Sequence, residues 1–188
     1  MVKKDITILL QRVNSGEKEL LNDVYSRLYD DIKQVAKYQI NKLQSGQTMT
    51  PTVLAHECYL KLIKQNDVKL KDSKHFLNCL SISMRQLLVD VHRAKISNKR
   101  QHDKIVDNLS QVIGEKNIDF KILELDQLLE KVNIIDPQSA MVLNYKIILA
   151  MTFKEIAVAM DLSVRQVKRV WSHGKSLLMM LSKAAEGK

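Results

Sequence analysis

The chain has 188 residues, enough for one or two domains with a buried core, and few glycines or prolines, which indicates an all-α protein. Its 30 lysine and arginine residues exceed its 21 acidic residues, and a formal net charge of +9 favours a polyanionic partner such as DNA. No segment resembles a signal peptide or a membrane span, so we expect a cytoplasmic protein with no membrane partner.

Apolar residues at helical spacing predict four helices in the first half of the chain. The first covers residues 5–14 and the second follows over residues 20–40, before a break at Ser45-Gly46. Thr50 is a good N-cap for a third helix, because the proline that follows is favoured in a first turn. A fourth helix begins after Asp72 or Ser73 and continues into a basic stretch that ends at Arg100.

The second half of the chain predicts a separate helical unit. Residues 101–118 lack periodicity and indicate a flexible linker. We therefore expect two small helical domains, one over residues 1–100 and one over residues 119–188. In the second, an apolar stripe ends near Asp161 and Ser163 caps a following helix, a pattern typical of a helix-turn-helix.

The outward side of that last helix carries side chains suited to DNA. Arginine and glutamine hydrogen-bond to base edges in the major groove, and lysine binds phosphate. We expect Arg165, Gln166 and Arg169 to contact bases and Lys168 to contact phosphate. The candidates for duplex DNA are Ser163, Arg165, Gln166, Lys168, Arg169, Ser172 and His173. An ordinary amphipathic helical hairpin, with its charges in solvent, would show a similar pattern.

Three segments together resemble the extracytoplasmic-function (ECF) type sigma factors of bacterial RNA polymerase. They are Pro51 to Leu62, His75 to Asp90 with its Met-Arg-Gln-Leu-Leu-Val-Asp run, and Asp136 to Trp171 with its Val-Lys-Arg-Val-Trp run. The resemblance implies that the first domain binds core RNA polymerase and the −10 element, and that the second binds the −35 element. It implies promoter DNA as a partner, no cofactor, no metal and no small-molecule substrate. Many relatives are also held by an anti-sigma protein.

By this resemblance, further residues become candidates for binding. The candidates for the single-stranded −10 element are Lys71, Asp72, Ser73, Arg85, Gln86, Arg93, Lys95, Lys99 and Arg100. The candidates for polymerase contact are Leu54, His56, Glu57, Tyr59 and Lys61. For the cations the alternative is a solvated helix face, and for Asp72 and Ser73 it is a simple helix cap.

Other functions have less support. His56-Glu57 begins a zinc-protease motif, but Leu60 occupies the position of the second histidine, and no other catalytic motif occurs. A stand-alone helix-turn-helix regulator, in which residues 1–100 dimerise or bind a ligand, is the main alternative. A decoy that binds polymerase without reading promoters is a third. Gln86 and Gly174 depart from the residues usual in the family, and the glycine is expected to cost about 1 kcal/mol of helix stability.

Overall fold

A computed structural model describes residues 8, 9, 12, 13, 15–17, 19–42, 50–64, 73–98 and 122–186. Within these residues the chain forms seven long helices and no strand, which confirms the all-α prediction. They are α1 (Leu20–Lys42), α2 (Pro51–Lys64), α3 (Ser73–Asn98), α4 (Ile122–Ile135), α5 (Pro137–Ile147), α6 (Phe153–Met160) and α7 (Val164–Glu186). The predicted linker, residues 101–118, lies outside the described residues.

Helices α1, α2 and α3 pack around one apolar core. Thr50 caps α2 as predicted, because its hydroxyl accepts a hydrogen bond from the N–H of Val53 at 3.2 Å. The Tyr25 hydroxyl on α1 donates to the carbonyl of Ala55 on α2 at 3.0 Å, which fixes the two helices against each other. Cys58 lies inside this core, and burial raises the pKa of its thiol to about 12. It therefore stays a protonated core residue.

Helices α4 to α7 form the rest of the fold around a second set of buried side chains. Asp136 caps α5 by accepting from the N–H of Gln138 at 3.1 Å, and Pro137 occupies the first turn, where no donor is needed. Helix α7 is amphipathic, with Val167, Trp171 and Leu178 buried on its inner side. Trp171, the only tryptophan, is thus a core residue.

The two halves of the chain pack against each other. The amide of Gln39 on α1 donates to the carbonyls of Ile147 and Ile148 at 2.8 and 2.7 Å, at the end of α5. The hydroxyl of Tyr145 on α5 donates to the carbonyl of Lys74 on α3 at 2.6 Å. Helix α3 contacts α2 on one side and α4 and α5 on another. The two halves of the chain, which the sequence predicts as separate domains, therefore share an extensive interface in this structure.

Gly174 occupies a place where α7 approaches α5 closely. A Cβ atom built there would lie 3.1 Å from Cγ and Cδ1 of Leu143 and 3.3 Å from Cβ of Ser139. Both neighbours are buried, and a Cβ atom can move only with its backbone. The sequence shows that this glycine lowers the stability of the helix. The structure shows what offsets this loss: the missing side chain allows α7 and α5 to pack closely.

Gly174→Ala is therefore expected to lower the free energy of unfolding by about 1 kcal/mol, because the contact outweighs the gain in helix propensity. Chemical denaturation followed by circular dichroism measures the change. Ser176→Ala, at an exposed position of the same helix, is the matched control and should be neutral or slightly stabilising. A Gly174→Ala protein more stable than wild type would contradict the close approach.

Candidate nucleic-acid interface

The turn between α6 and α7 is fixed by local hydrogen bonds. Thr152 and Glu155 form a capping box at the start of α6, in which each side chain accepts from the backbone N–H of the other. Asp161 ends α6 in the left-handed conformation, with φ 54° and ψ 48°, which aspartate tolerates better than most residues. The N–H of Leu162 then bonds back to the carbonyl of Ala157 at 2.9 Å. This geometry sets the direction in which α7 leaves the turn.

A second capping box starts α7 and involves two of the predicted DNA contacts. The Ser163 hydroxyl accepts from the N–H of Gln166 at 3.2 Å, and the Gln166 side-chain oxygen accepts from the N–H of Ser163 at 2.8 Å. The same glutamine oxygen also accepts from the Ser163 hydroxyl at 2.7 Å. The carbonyl oxygen of Gln166 is therefore engaged in the cap, so a two-pronged contact with adenine requires this cap to break.

The remaining candidates on α7 share its solvent-facing side. Arg165, Lys168, Arg169, Ser172 and His173 are all exposed. Lys168 also places its ammonium 6.0 Å from the centre of the Phe153 ring, at the edge of cation–π range. The structure thus brings five of the seven predicted duplex-binding residues onto one accessible face, with the other two in the adjoining cap.

His173 lies beside the cap of α5. Its Nε2 atom is 3.7 Å from Oδ2 of Asp136. Partial burial would raise the pKa of Asp136, but hydrogen bonds from Ser139 and Gln138 and the nearby His173 hold that pKa below its ordinary value. The carboxylate therefore stays charged near neutral pH and lies beside the imidazole of His173.

Candidates on α3 are placed less uniformly. Gln86 and Arg93 are exposed, as single-strand binding requires. Arg85 is only 2% exposed: its Nε lies 3.1 Å from Oδ1 of Asp126, and its Nη2 donates to Glu130, both on α4. Arg85 is thus enclosed by the second half of the chain in this arrangement and is not accessible to DNA. Lys71, Asp72, Lys99 and Arg100 lie outside the described residues, as do the side chains of Ser73 and Lys95.

Comparison with protein families matches the ECF sigma factors over residues 3–179, nearly the whole chain. The chain belongs to the ECF sigma factor family. Comparisons with curated proteins and with solved structures give no match. Sigma factors act in transcription initiation and are not a class of enzymes. ECF sigma factors work with core RNA polymerase and promoter DNA, and often with anti-sigma factors.

In this ECF sigma factor, the candidates for polymerase contact divide between core and surface. Leu54 is 0% exposed and belongs to the core, so it leaves the set of surface candidates. His56 is exposed, Glu57 is half-buried, and Tyr59 is half-buried because it stacks on Tyr25 with ring centres 3.9 Å apart. Lys61 is half-buried and pairs with Asp90 on α3 at 3.7 Å.

Several functional candidates of the ECF sigma factor do not stand out in its sequence. Val53 and Leu60 on α2 are 43% and 42% exposed, on the same side as His56, and they offer an apolar surface to a partner. Ile134, 83% exposed, and Ile135 lie together at the end of α4. Because isoleucine is usually buried, the sequence alone does not predict that Ile134 and Ile135 are exposed. Asp126 and Glu130 are four residues apart on α4, a spacing that places both carboxylates on one side of the helix.

The described part of the ECF sigma factor was also searched for metal sites and membrane helices. It contains no group of three or more histidine, cysteine, aspartate or glutamate side chains arranged to hold a metal ion. None of its helices combines the length and the apolar character needed to cross a bilayer.

Proposed function

We propose that this ECF sigma factor directs core RNA polymerase to specific promoters by reading the −35 element as duplex and holding the melted −10 strand. The observation that carries the proposal is the outer face of α7. Arginine and lysine side chains project from a helix whose start is fixed by a capped turn. An α-helix fits the major groove, where arginine donates to guanine and lysine neutralises phosphate.

Within this proposal, Arg165 and Arg169 read bases of the −35 element. They are four residues apart on α7, so both point to the same side of the helix and can reach neighbouring bases. Lys168 contacts the phosphate backbone beside them, and Ser172 and His173 extend the contact along the helix. Ser163 and Gln166 hold the helix start in register, and they meet DNA only at the groove edge.

For the −10 element we assign the role of strand capture to α3 and the loop before it. Gln86 and Arg93 lie on its accessible side, and a displaced strand needs donors for phosphate and space for an unstacked base. Polymerase supplies the chemistry, and His56 with the exposed apolar side chains of α2 supplies the docking face. The cytoplasm, where polymerase and chromosome meet, is the expected location.

Arg165→Ala and Arg169→Ala are each expected to weaken binding of the holoenzyme to a cognate −35 site by about 1–3 kcal/mol and to relax base preference there. Run-off transcription from a promoter library with core polymerase, with and without the protein, identifies the cognate promoter and then measures the loss. Lys183→Ala, which removes an exposed cation from the far end of α7, is the matched control and should preserve selectivity.

Two results would count against the proposal. Equal transcription by wild type from matched and mismatched −35 templates would refute −35 reading. Tight binding of a purified dimer to palindromic duplex, without any polymerase-dependent initiation, would instead support a stand-alone regulator. A sigma factor binds duplex weakly when alone and occupies promoters as part of the holoenzyme.

A further inference from the structure

The guanidinium of Arg85 is held between two carboxylates of α4. Nε lies 3.1 Å from Oδ1 of Asp126, and Nη2 donates to Oε1 of Glu130. Nη2 makes a hydrogen bond to Glu130, and Nε contacts Asp126 as an ion pair; a guanidinium is attracted to the anionic oxygens of a phosphate by the same charge. The carboxylates therefore present to Arg85 anionic oxygens, which are also what DNA phosphates offer.

The remaining contacts close the second half of the chain over α3. Tyr145 is fully buried and hydrogen-bonds the carbonyl of Lys74 at the first turn of α3. Arg85 lies about three turns further along, so contacts with α4 and α5 extend along much of the helix. Gln39 also ties α1 to the end of α5. Among the candidates for the −10 strand on α3, Arg85 is thus covered, whereas Gln86 and Arg93 are exposed.

The closed arrangement is also too small to bind both promoter elements. The −35 and −10 elements are about 25 base pairs apart, roughly 85 Å along B-DNA at about 3.4 Å per base pair. A compact chain of 188 residues has a radius of gyration of roughly 16 Å. Simultaneous contact with both elements therefore requires α3 and α7 to separate.

We propose that, in the free protein, α4 covers Arg85, one of the candidates for the −10 strand on α3, as an internal mimic of DNA phosphate, with Asp126 and Glu130 as its anionic groups. This inference rests on the proposed function, because it concerns the same −10 surface. The closed form is inactive, and promoter binding requires Arg85 to exchange these carboxylates for phosphate. Their partial exposure, 23% and 57% for the two side chains, leaves them open to such competition.

The test neutralises the mimic and leaves every proposed DNA-binding residue in place. Asp126→Asn with Glu130→Gln removes both charges in the full-length chain at nearly constant shape. The matched control is Asp23→Asn with Asp30→Asn, which removes the same charge from exposed positions on α1. A second variant, Asp126→Lys with Glu130→Lys, places cations against Arg85. Their repulsion should open the interface even if it stays closed with the neutral amides. Circular dichroism verifies that each variant remains helical.

Two measurements report on the mimic. Small-angle scattering gives the radius of gyration of the free chain, and fluorescence anisotropy gives its affinity for a single-stranded oligonucleotide of the −10 region. We expect the amide variant and the lysine variant of Asp126 and Glu130 both to expand and to bind the oligonucleotide about tenfold or more tightly than the control does. If even the lysine variant has the dimensions of wild type, or if it expands without a gain in affinity over the control, the proposal is overturned.

Failure of the mimic can be told apart from failure of the sigma assignment. Wild-type run-off transcription with core polymerase tests the assignment alone, because polymerase and promoter are both present to open the chain. Transcription by wild type together with unchanged dimensions of the variants rejects only the mimic. Expansion of the variants in a chain that never directs initiation rejects the assignment, and with it the role given to the closed form.

Discussion

Trp171→Ala is expected to lower the free energy of unfolding by about 3–5 kcal/mol, as is typical when a large aromatic side chain is removed from a core. Trp171 is buried on the inner side of α7, and its ring meets the edge of Phe153 on α6 with centres 6.1 Å apart. The substitution leaves a cavity where these two helices meet. Urea denaturation followed by far-ultraviolet circular dichroism measures the change, since the variant has no tryptophan to report by fluorescence.

Val158→Ala provides the control for this prediction. Val158 lies on the exposed side of α6, so its truncation should change stability by no more than about 0.5 kcal/mol. The tryptophan variant should also lose −35 selectivity, because the direction of α7 depends on its packing against α6. An unchanged denaturation midpoint in the tryptophan variant would mean that α6 and α7 do not share this core.

Features governed by neighbouring residues could be predicted from the sequence. The cap at Thr50, the start of α5 at Asp136-Pro137 and the left-handed Asp161 each depend on side-chain chemistry within one helical turn. The capping box at the start of α7 belongs to the same class, because serine followed three residues later by glutamine is its sequence signature. The prediction that Gln166 contacts a base did not take this capping-box signature into account.

Features that depend on distant parts of the chain could not be predicted. Arg85 and Glu130 are 45 residues apart, and nothing in the charge pattern specifies that these two side chains pair. The burial of Leu54, a candidate for polymerase contact, could not be predicted for a related reason. Val53 and Leu54 are adjacent and equally apolar, but tertiary packing exposes Val53 and buries Leu54. The solvent-exposed side of α7 was easier to predict, because a strongly amphipathic helix specifies its own outer face.

Gln39→Ala is expected to lower the free energy of unfolding by about 3 kcal/mol. The carbonyls of Ile147 and Ile148 lie past the last internal hydrogen bonds of α5, and the buried amide of Gln39 satisfies both. Removing the amide leaves two buried acceptors without this donor, and each such loss costs about 1–3 kcal/mol, reduced where water or backbone movement compensates. Urea denaturation at constant pH measures the difference.

Gln34→Ala is the matched control, because Gln34 is an exposed glutamine on the same helix and its loss should cost less than about 0.5 kcal/mol. The comparison also reports on the closed arrangement in solution, since Gln39 stabilises the protein only while α1 contacts the end of α5. A Gln39→Ala protein as stable as the control would mean that the two halves are already separated in the free chain. A cost confined to Gln39 would instead mean that α1 contacts the end of α5 in the free chain.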